Sequence, residues 1–371
     1  MIQRITVVAG GVLLFWAASC HAAWPDATDA PSGSMDVSNY LLNGHGFLPV
    51  PTFITEPAVG YGIGLTALFF DDTPARQSNA AEGKTPSPNI TGVGAAATSN
   101  GTWAAGVFHS HSWNDDAIRY MGGFARTNLK TDYYGAAEVA RSYQLNGNFL
   151  VQQVLFRVAD TPWYAGPRFT WFKARINFTG AAASELGDVG KDITIGKAGL
   201  VLDYDTRDNI FLPLSGSYAE AEAQYARPGL GSSQSFDTYN LRGFNWRTLA
   251  GAWVLGLRAD AQFTEGSVPF YAQPFVTQRG VARGRYQDKN AVMAEAEVRW
   301  LATPKWSVLG FMGAGRAWGK WHDWQDAATP VGVGTGFRYV LAQKLGLGVG
   351  IDIAHSKDQN AWYIQVGSAW H

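Results

Sequence analysis

Apolar and polar residues alternate with period two along many short stretches of this chain, the spacing of strands whose two faces meet different surroundings. In residues 172–178, Phe172, Ala174, Ile176 and Phe178 share one face, and Lys173, Arg175 and Asn177 share the other. Glu220, Glu222 and Gln224 oppose alanines and Tyr225, while Arg258, Asp260 and Gln262 line one side of 257–263. Glu295, Glu297 and Arg299 do the same in 294–300. Leu345, Leu347, Val349, Ile351 and Ile353 form an apolar row with glycines and Asp352 opposite. In each case the apolar row is expected to face lipid and the charged row a polar lumen, where neighbouring strands pair opposite charges. A soluble antiparallel sandwich with one wet face is the competing reading. It leaves the leader sequence and the aromatic strand ends described below without a common explanation.

Turn chemistry divides the alternation into strands at 48–56, 60–70, 89–99, 102–114, 117–128, 145–159, 163–178, 192–206, 216–227, 235–249, 253–265, 291–302, 306–318, 331–343, 345–356 and 361–370. The expected fold is all-β, a transmembrane antiparallel barrel of about 16 strands, an even number as bacterial barrels require. Connections on one side are short: Asn114-Asp115-Asp116, Asp160-Thr161-Pro162, Gly251-Ala252, Thr303-Pro304-Lys305 and the turn at Lys344. Those near 129–144, 179–191, 228–234, 266–290 and 319–330 are long, as expected on the outer side. The polar 71–88 stretch breaks this rule by placing a long connection on the short side.

Arg4 followed by an apolar run at 7–18 reads as a secretory leader, too short to cross a bilayer, with cleavage after Ala22 or Ala23. That divides the chain into a signal peptide at 1–22, a flexible segment at 23–45 and a barrel at 46–371. Cys20, the single cysteine, then leaves with the leader; its surroundings resemble a lipidation motif that lacks the usual upstream leucine. The mature chain therefore has no disulfide or thiol chemistry. Charged residues make up 16% of the sequence beside 15 Trp, 15 Tyr and 20 Phe, a balance that suits a wall facing lipid rather than water. A mean hydropathy of −0.11 with no long apolar run excludes a helical membrane protein but not a barrel. A net charge of −1 gives no reason to expect nucleic acid as a partner.

Asp205, Arg207, Asp208 and Asn209, followed by Phe211, Pro213, Gly216 and Tyr218, form a dense turn signal. A short periplasmic hairpin accounts for it. The string also resembles the hairpin between the eighth and ninth strands of the BamA/TamA (surface-antigen) barrel superfamily, and it lies between the eighth and ninth strands read here. Beyond it, Arg279-Gly280 resembles that family's loop motif, which the resemblance implies is folded back into the lumen. Arg283-Gly284 offers a second register. The terminal strand, with Tyr363, Gly367 and Trp370, resembles the C-terminal signal by which barrels are handed to the assembly machinery, although His371 follows the aromatic residue. The likeness covers 190–370 well and the first half in strand rhythm only. Two departures matter. The family's aspartate partner for the loop arginine is matched here by Gly313, which leaves Glu295 and Glu297 as candidate partners. The family's periplasmic POTRA modules also have no room between leader and first strand.

His109 and His111 share a strand face near Asp115 and Asp116, but two histidines alone do not make a metal site. No nucleophile elbow, phosphate loop or dinucleotide fingerprint is present, so neither an enzyme nor a cofactor is expected. The expected partners are outer-membrane lipid, the assembly machinery during biogenesis, and a protein client or periplasmic partner. The resemblance implies a role in protein insertion or translocation. A passive diffusion pore or transporter on the same scaffold is the alternative.

Overall fold

The computed structural model describes residues 36–38, 41, 47–55, 59–71, 89–134, 139–179 and 190–370. The leader, most of 23–45 and residues 72–88 lie outside them, so the long connection expected at 71–88 is not described beyond Asp71.

Sixteen strands follow one another in a single antiparallel meander. They are β1 (Phe47–Ile54), β2 (Gly62–Asp71), β3 (Asn89–Thr98), β4 (Trp103–Trp113), β5 (Ile118–Tyr133), β6 (Arg141–Arg157), β7 (Trp163–Phe178) and β8 (Lys191–Asp205). The second half comprises β9 (Gly216–Ala226), β10 (Phe236–Thr248), β11 (Trp253–Gly266), β12 (Asn290–Leu301), β13 (Trp306–Trp318), β14 (Val331–Ala342), β15 (Leu347–Ser356) and β16 (Asn360–Val366). Each strand pairs with its sequence neighbours, and β1 and β16 meet to close the barrel almost completely. The short turns gather at one end, here called the base. At one of them Asn114, Asp115 and Asp116 all take positive φ, a conformation that Asn and Asp tolerate better than other side chains.

The outer wall is apolar between two aromatic belts. Trp163 against Tyr204, Trp253 against Trp300 and Trp306 against Tyr339 ring the base. Tyr225 against Tyr239 and Phe263 against Trp318 mark the upper belt. On β11 the ten steps from Trp253 to Phe263 span about 33 Å at ~3.3 Å per residue. With a strand tilt of ~40° that is about 25 Å of height, the thickness of the apolar band on outer-membrane barrels. Leu200, Leu241, Met312 and Ile353 are among the exposed side chains between the belts.

Inside, Glu220, Glu222, Gln224, Asp260, Glu295, Glu297, Arg299 and Asp352 are buried, as the alternation predicts. Opposite charges meet there: Arg168 reaches Glu220 at 2.7 Å and Glu222 at 3.0 Å, and Arg258 reaches Asp260 at 2.5 Å.

Three readings of the alternation need correction. On β7 the faces are the reverse of those expected: Ala174 and Ile176 are buried inward with Tyr143, Leu145 and Ile193, while Lys173 and Arg175 are exposed. Strands β5 to β8 run past the upper belt, where the outside is wet and the inside is filled by Phe270 and Tyr271 of the β11–β12 loop. Period two survives this, but its polarity inverts. Leu345 and Leu347 are not on the lipid row either: Leu345 lies in the 3-10 turn Gln343–Leu345 before β15, and the β14–β15 register shifts between Val340 and Ala342 beside Leu347. Both leucines pack at the base with Leu48, Phe70, Ile90, Phe211 and Leu41, the last from the segment expected to be flexible. Finally, the terminal strand ends at Val366 rather than 370, because Gly367 takes φ +79° and turns the chain off the wall.

Met312→Arg should lower the unfolding free energy in lipid vesicles by about 2–4 kcal/mol, the cost of a cation near the middle of the apolar band. Arg175→Gln, beyond the band, should change it by less than about 1 kcal/mol. Urea titrations of the two variants check this, and equal losses would mean that the apolar belt is misplaced.

Candidate functional site

The β11–β12 loop runs across the upper lumen. Phe270 and Tyr271 pack on the β6–β8 wall, while Val276, Val281 and Tyr286 pack on Ala291, Met293 and Ala317 of β12 and β13. The stretch carrying Arg279 is let in by small residues on the opposite wall. A Cβ on Gly332 would lie 2.3 Å from the Arg279 carbonyl oxygen, and Gly280, at φ +85°, rests 3.2 Å from Ala354 in the same sense. Gly332 on β14 thus leaves the inner wall low enough for the loop backbone to lie against it, while Gly334 and Gly336 leave room for the Phe311 ring and the Asp352 carboxylate.

Arg279 is buried, and three carboxylates surround its guanidinium. Glu295 accepts at 2.7 Å, Glu297 at 2.9 Å and Asp352 at 2.8 Å. The face of Phe311 lies 3.5 Å from the guanidinium carbon, a cation–π contact that occupies the remaining side. Asp352 is shared with Arg338, which donates at 2.5 Å and 2.9 Å. Gly313 leaves room for this arrangement, since a Cβ there would press on the Glu295 side chain at 3.2 Å. Of the two Arg-Gly pairs that the sequence offers, Arg279 and Gly280 lie in the lumen, whereas Arg283 is exposed beside Gly284. Both candidate partners on β12 are brought to Arg279. Asp352 was legible as a lumen residue by alternation but not as a partner, because β15 lies three strands from β12 and adjacency in sequence does not join them.

The C-terminal residues converge on the same cluster. The Tyr363 hydroxyl oxygen accepts from the Gly280 amide at 3.0 Å. After the bend at Gly367, whose amide donates to the Gly348 carbonyl at 2.7 Å, the chain crosses the lumen. Trp370 comes to rest against Phe244 and Trp246 and donates its indole N–H to Glu295 at 2.6 Å. Trp370 is therefore a lumen residue in the folded chain, not the outward-facing end of a strand.

The turn between β8 and β9 covers the base. Arg207 holds Asp205 through two bonds of 2.8 Å and 2.9 Å and lies over the Tyr218 ring at 4.5 Å. Burial alone would lower the Arg207 pKa, but the Asp205 charge outweighs it and the value is raised. Asp208 accepts from the Leu214 amide at 3.0 Å, and Gly216 at φ +100° passes where a Cβ would meet the Thr206 carbonyl oxygen at 2.2 Å. Asn209 caps the amides of Phe211 and Leu212 and donates to the Leu345 carbonyl at 2.9 Å. Arg299 donates to the Pro213 carbonyl, and Ser368 donates its amide to Phe211. The short hairpin expected here is instead a loop folded inward under the barrel, with Phe211 in the basal apolar cluster.

His109 and His111 point outward, their rings 5.5 Å apart, with His109 bonded to Thr91 at 2.9 Å. Asp116 is held by Arg119, Tyr164 and Ser112 instead. Burial pushes its pKa up, yet these donors, Arg119 foremost, bring it below the ordinary aspartate value.

Asp352→Asn should cost about 3 kcal/mol, the scale for breaking a buried ion pair, rather than the small loss that lumen exposure by itself would predict. Arg279→Ala combined with Glu297→Ala should cost less than the two single changes summed, by about 0.5–3 kcal/mol. Urea unfolding of the parent chain and these four variants in detergent measures both, and additive losses would mean that the ion pairs carry no coupling.

No family model and no curated protein matches the sequence. Among solved structures, BamA from Haemophilus ducreyi lacking POTRA domains 1–3 superposes with a TM-score of 0.52 at 12% identity, over 85% of this chain and 68% of that one. CdiB from Acinetobacter baumannii gives 0.55 at 9% identity, over 86% of this chain and 58% of that one. CdiB from Escherichia coli gives 0.57 at 10%, over 86% and 61%. The chain thus spans about three fifths of the length of the two CdiB structures, and what it shares with all three is the fold of an outer-membrane barrel.

Proposed function

We propose that this protein is an integral outer-membrane barrel of the BamA/TamA kind that works at its seam, handling an extended segment of another protein during insertion or translocation. The observation that carries this reading is the junction of β1 and β16. Fifteen neighbouring strand pairs are laddered, but among the described residues no ladder joins these two. The Thr55 hydroxyl substitutes at the upper end, donating to the Trp362 carbonyl at 2.8 Å and accepting from its amide at 3.2 Å. Phe53 and Trp362 touch beside it with ring centroids 5.4 Å apart. At the base, apolar packing of Leu48, Phe70, Ile90 and Leu347 around Phe211 bridges the gap. An unladdered edge inside a bilayer is costly unless a partner strand can satisfy it, which makes the seam the part of the wall best suited to admit one.

The lumen favours the same reading over a diffusion pore. The β11–β12 loop, Trp370 and the β8–β9 turn occupy its top, middle and base. Lipid is the solvent of the outer wall, the assembly machinery is the partner in biogenesis, and an unfolded client is the partner in operation. The work is mechanical and not catalytic.

Vesicles carrying the barrel should speed the folding of a small urea-unfolded outer-membrane barrel added from outside. Joining Phe53→Cys to Trp362→Cys with a short cleavable cross-linker should abolish the effect, and cleaving the linker should restore it. Unaltered folding of the added barrel, together with steady large conductance in planar bilayers, would overturn this reading in favour of the pore.

A further inference from the structure

Hydrogen-bond parity along β1 and β16 shows that the two edges of the seam are chemically unlike. The Ser99 amide donates to the Tyr61 carbonyl at 2.7 Å, so the odd-numbered residues of β2 bond toward β3 and the even-numbered ones toward β1. Their partners on β1 are Leu48, Val50, Thr52 and Ile54. Phe47, Pro49, Pro51 and Phe53 therefore direct their backbone groups into the seam. Two of these four are prolines, which have no N–H to give. On the other side, the Gly367 amide bonds the Gly348 carbonyl, so Ala361, Tyr363 and Gln365 serve β15. Asn360, Trp362, Ile364 and Val366 face the seam, each with both a donor and an acceptor.

We infer that the strand-accepting site of this barrel is the free edge of β16, while Pro49 and Pro51 blunt the edge of β1. The inference rests on the reading of the seam given above and assigns its polarity. Proline on an edge strand both prevents ladder growth and protects that edge from capture. With two of its four donors missing, β1 cannot zip onto β16 in full, so closing the seam yields few of the bonds that close every other strand pair. With the Trp362 groups held by the Thr55 hydroxyl, the backbone groups of Ile364 and Val366 are the ones left for a guest. The guest that fits is a proline-free extended segment of another polypeptide. Its apolar side chains would continue the outward row of Trp362, Ile364 and Val366, and its backbone would supply the donors and acceptors that β1 lacks.

The test uses the full barrel in detergent, in a Cys20→Ser background, with a short synthetic peptide of alternating valine and threonine whose one central cysteine is activated as a thiopyridyl disulfide, so that attack by a barrel thiolate releases thiopyridone. Ile364→Cys should capture the peptide as a disulfide about tenfold faster than Phe47→Cys, since a single ladder hydrogen bond is worth on that order. Adding Pro49→Ala and Pro51→Ala should let the seam zip, reducing capture at Ile364→Cys and slowing hydrogen exchange at the amides of Ile364 and Val366. Equal capture at the two edges, or amides of Ile364 and Val366 that are already protected in the parent chain, would overturn the assignment. A barrel that accelerates client folding equally with and without the two prolines would also overturn it while leaving the seam reading intact. Failure of client folding alongside unequal edges would remove that reading and leave the polarity of the seam standing.

Discussion

A guanidinium placed inside a protein wall must be neutralised and fully hydrogen-bonded, because the loss of its hydration is otherwise worth several kcal/mol against folding. Arg279 meets that demand with carboxylates from two separate parts of the barrel, Glu295 and Glu297 on β12 and Asp352 on β15, and with the face of Phe311 on β13. The rest of the interior is arranged around it. The β11–β12 loop has to descend to bring the arginine to this height, and Gly332 of β14 has to stay free of a side chain for the loop to fit. Arg338 balances Asp352, and Arg299 lies on the same strand as the two glutamates. A single charge on a loop thereby ties strands β12 to β15 into one block.

That block also holds the end of the chain. Trp370 bonds Glu295 and Tyr363 bonds the loop backbone at Gly280, so the strand at the open side of the barrel is anchored through the lumen. Among the described residues the opposite side of the seam has no comparable anchor through the lumen. β1 is held by its ladder to β2 and by apolar packing at the base. One edge of the seam is thus braced and rich in hydrogen-bond donors, and the other is lightly held and poor in them. This asymmetry follows from covalent facts, two prolines on one strand and an inward-turning glycine after the other.

The alternating pattern was a reliable guide to strands because a two-faced strand has only one periodicity whatever surrounds it. Most strand positions, the sixteen-strand meander and the inward placement of Glu220, Glu295, Glu297 and Asp352 were legible on that basis. It was a poor guide to which face is which once a strand left the apolar band. On β7 the same alternation serves lipid outside at Trp163 and water outside at Lys173, and nothing local marks where the surroundings change. Leu347 misled for a related reason, since a register shift on its neighbour moved it into the basal cluster.

By itself, the sequence determined what depends on neighbours along the chain: the strands, the short turn at 114–116, the short and long ends of the barrel, and the residue types available to neutralise a loop arginine. Only the tertiary structure decided what depends on residues far apart meeting. It selected Arg279 over Arg283, added Asp352 and Trp370 to the cluster, and folded the β8–β9 turn under the base. It also left β1 facing β16 without a ladder. The physical reason is the same in each case, because a barrel brings together residues separated by up to the whole length of the chain, and contacts across its lumen or its seam leave no periodic trace in the order of the amino acids.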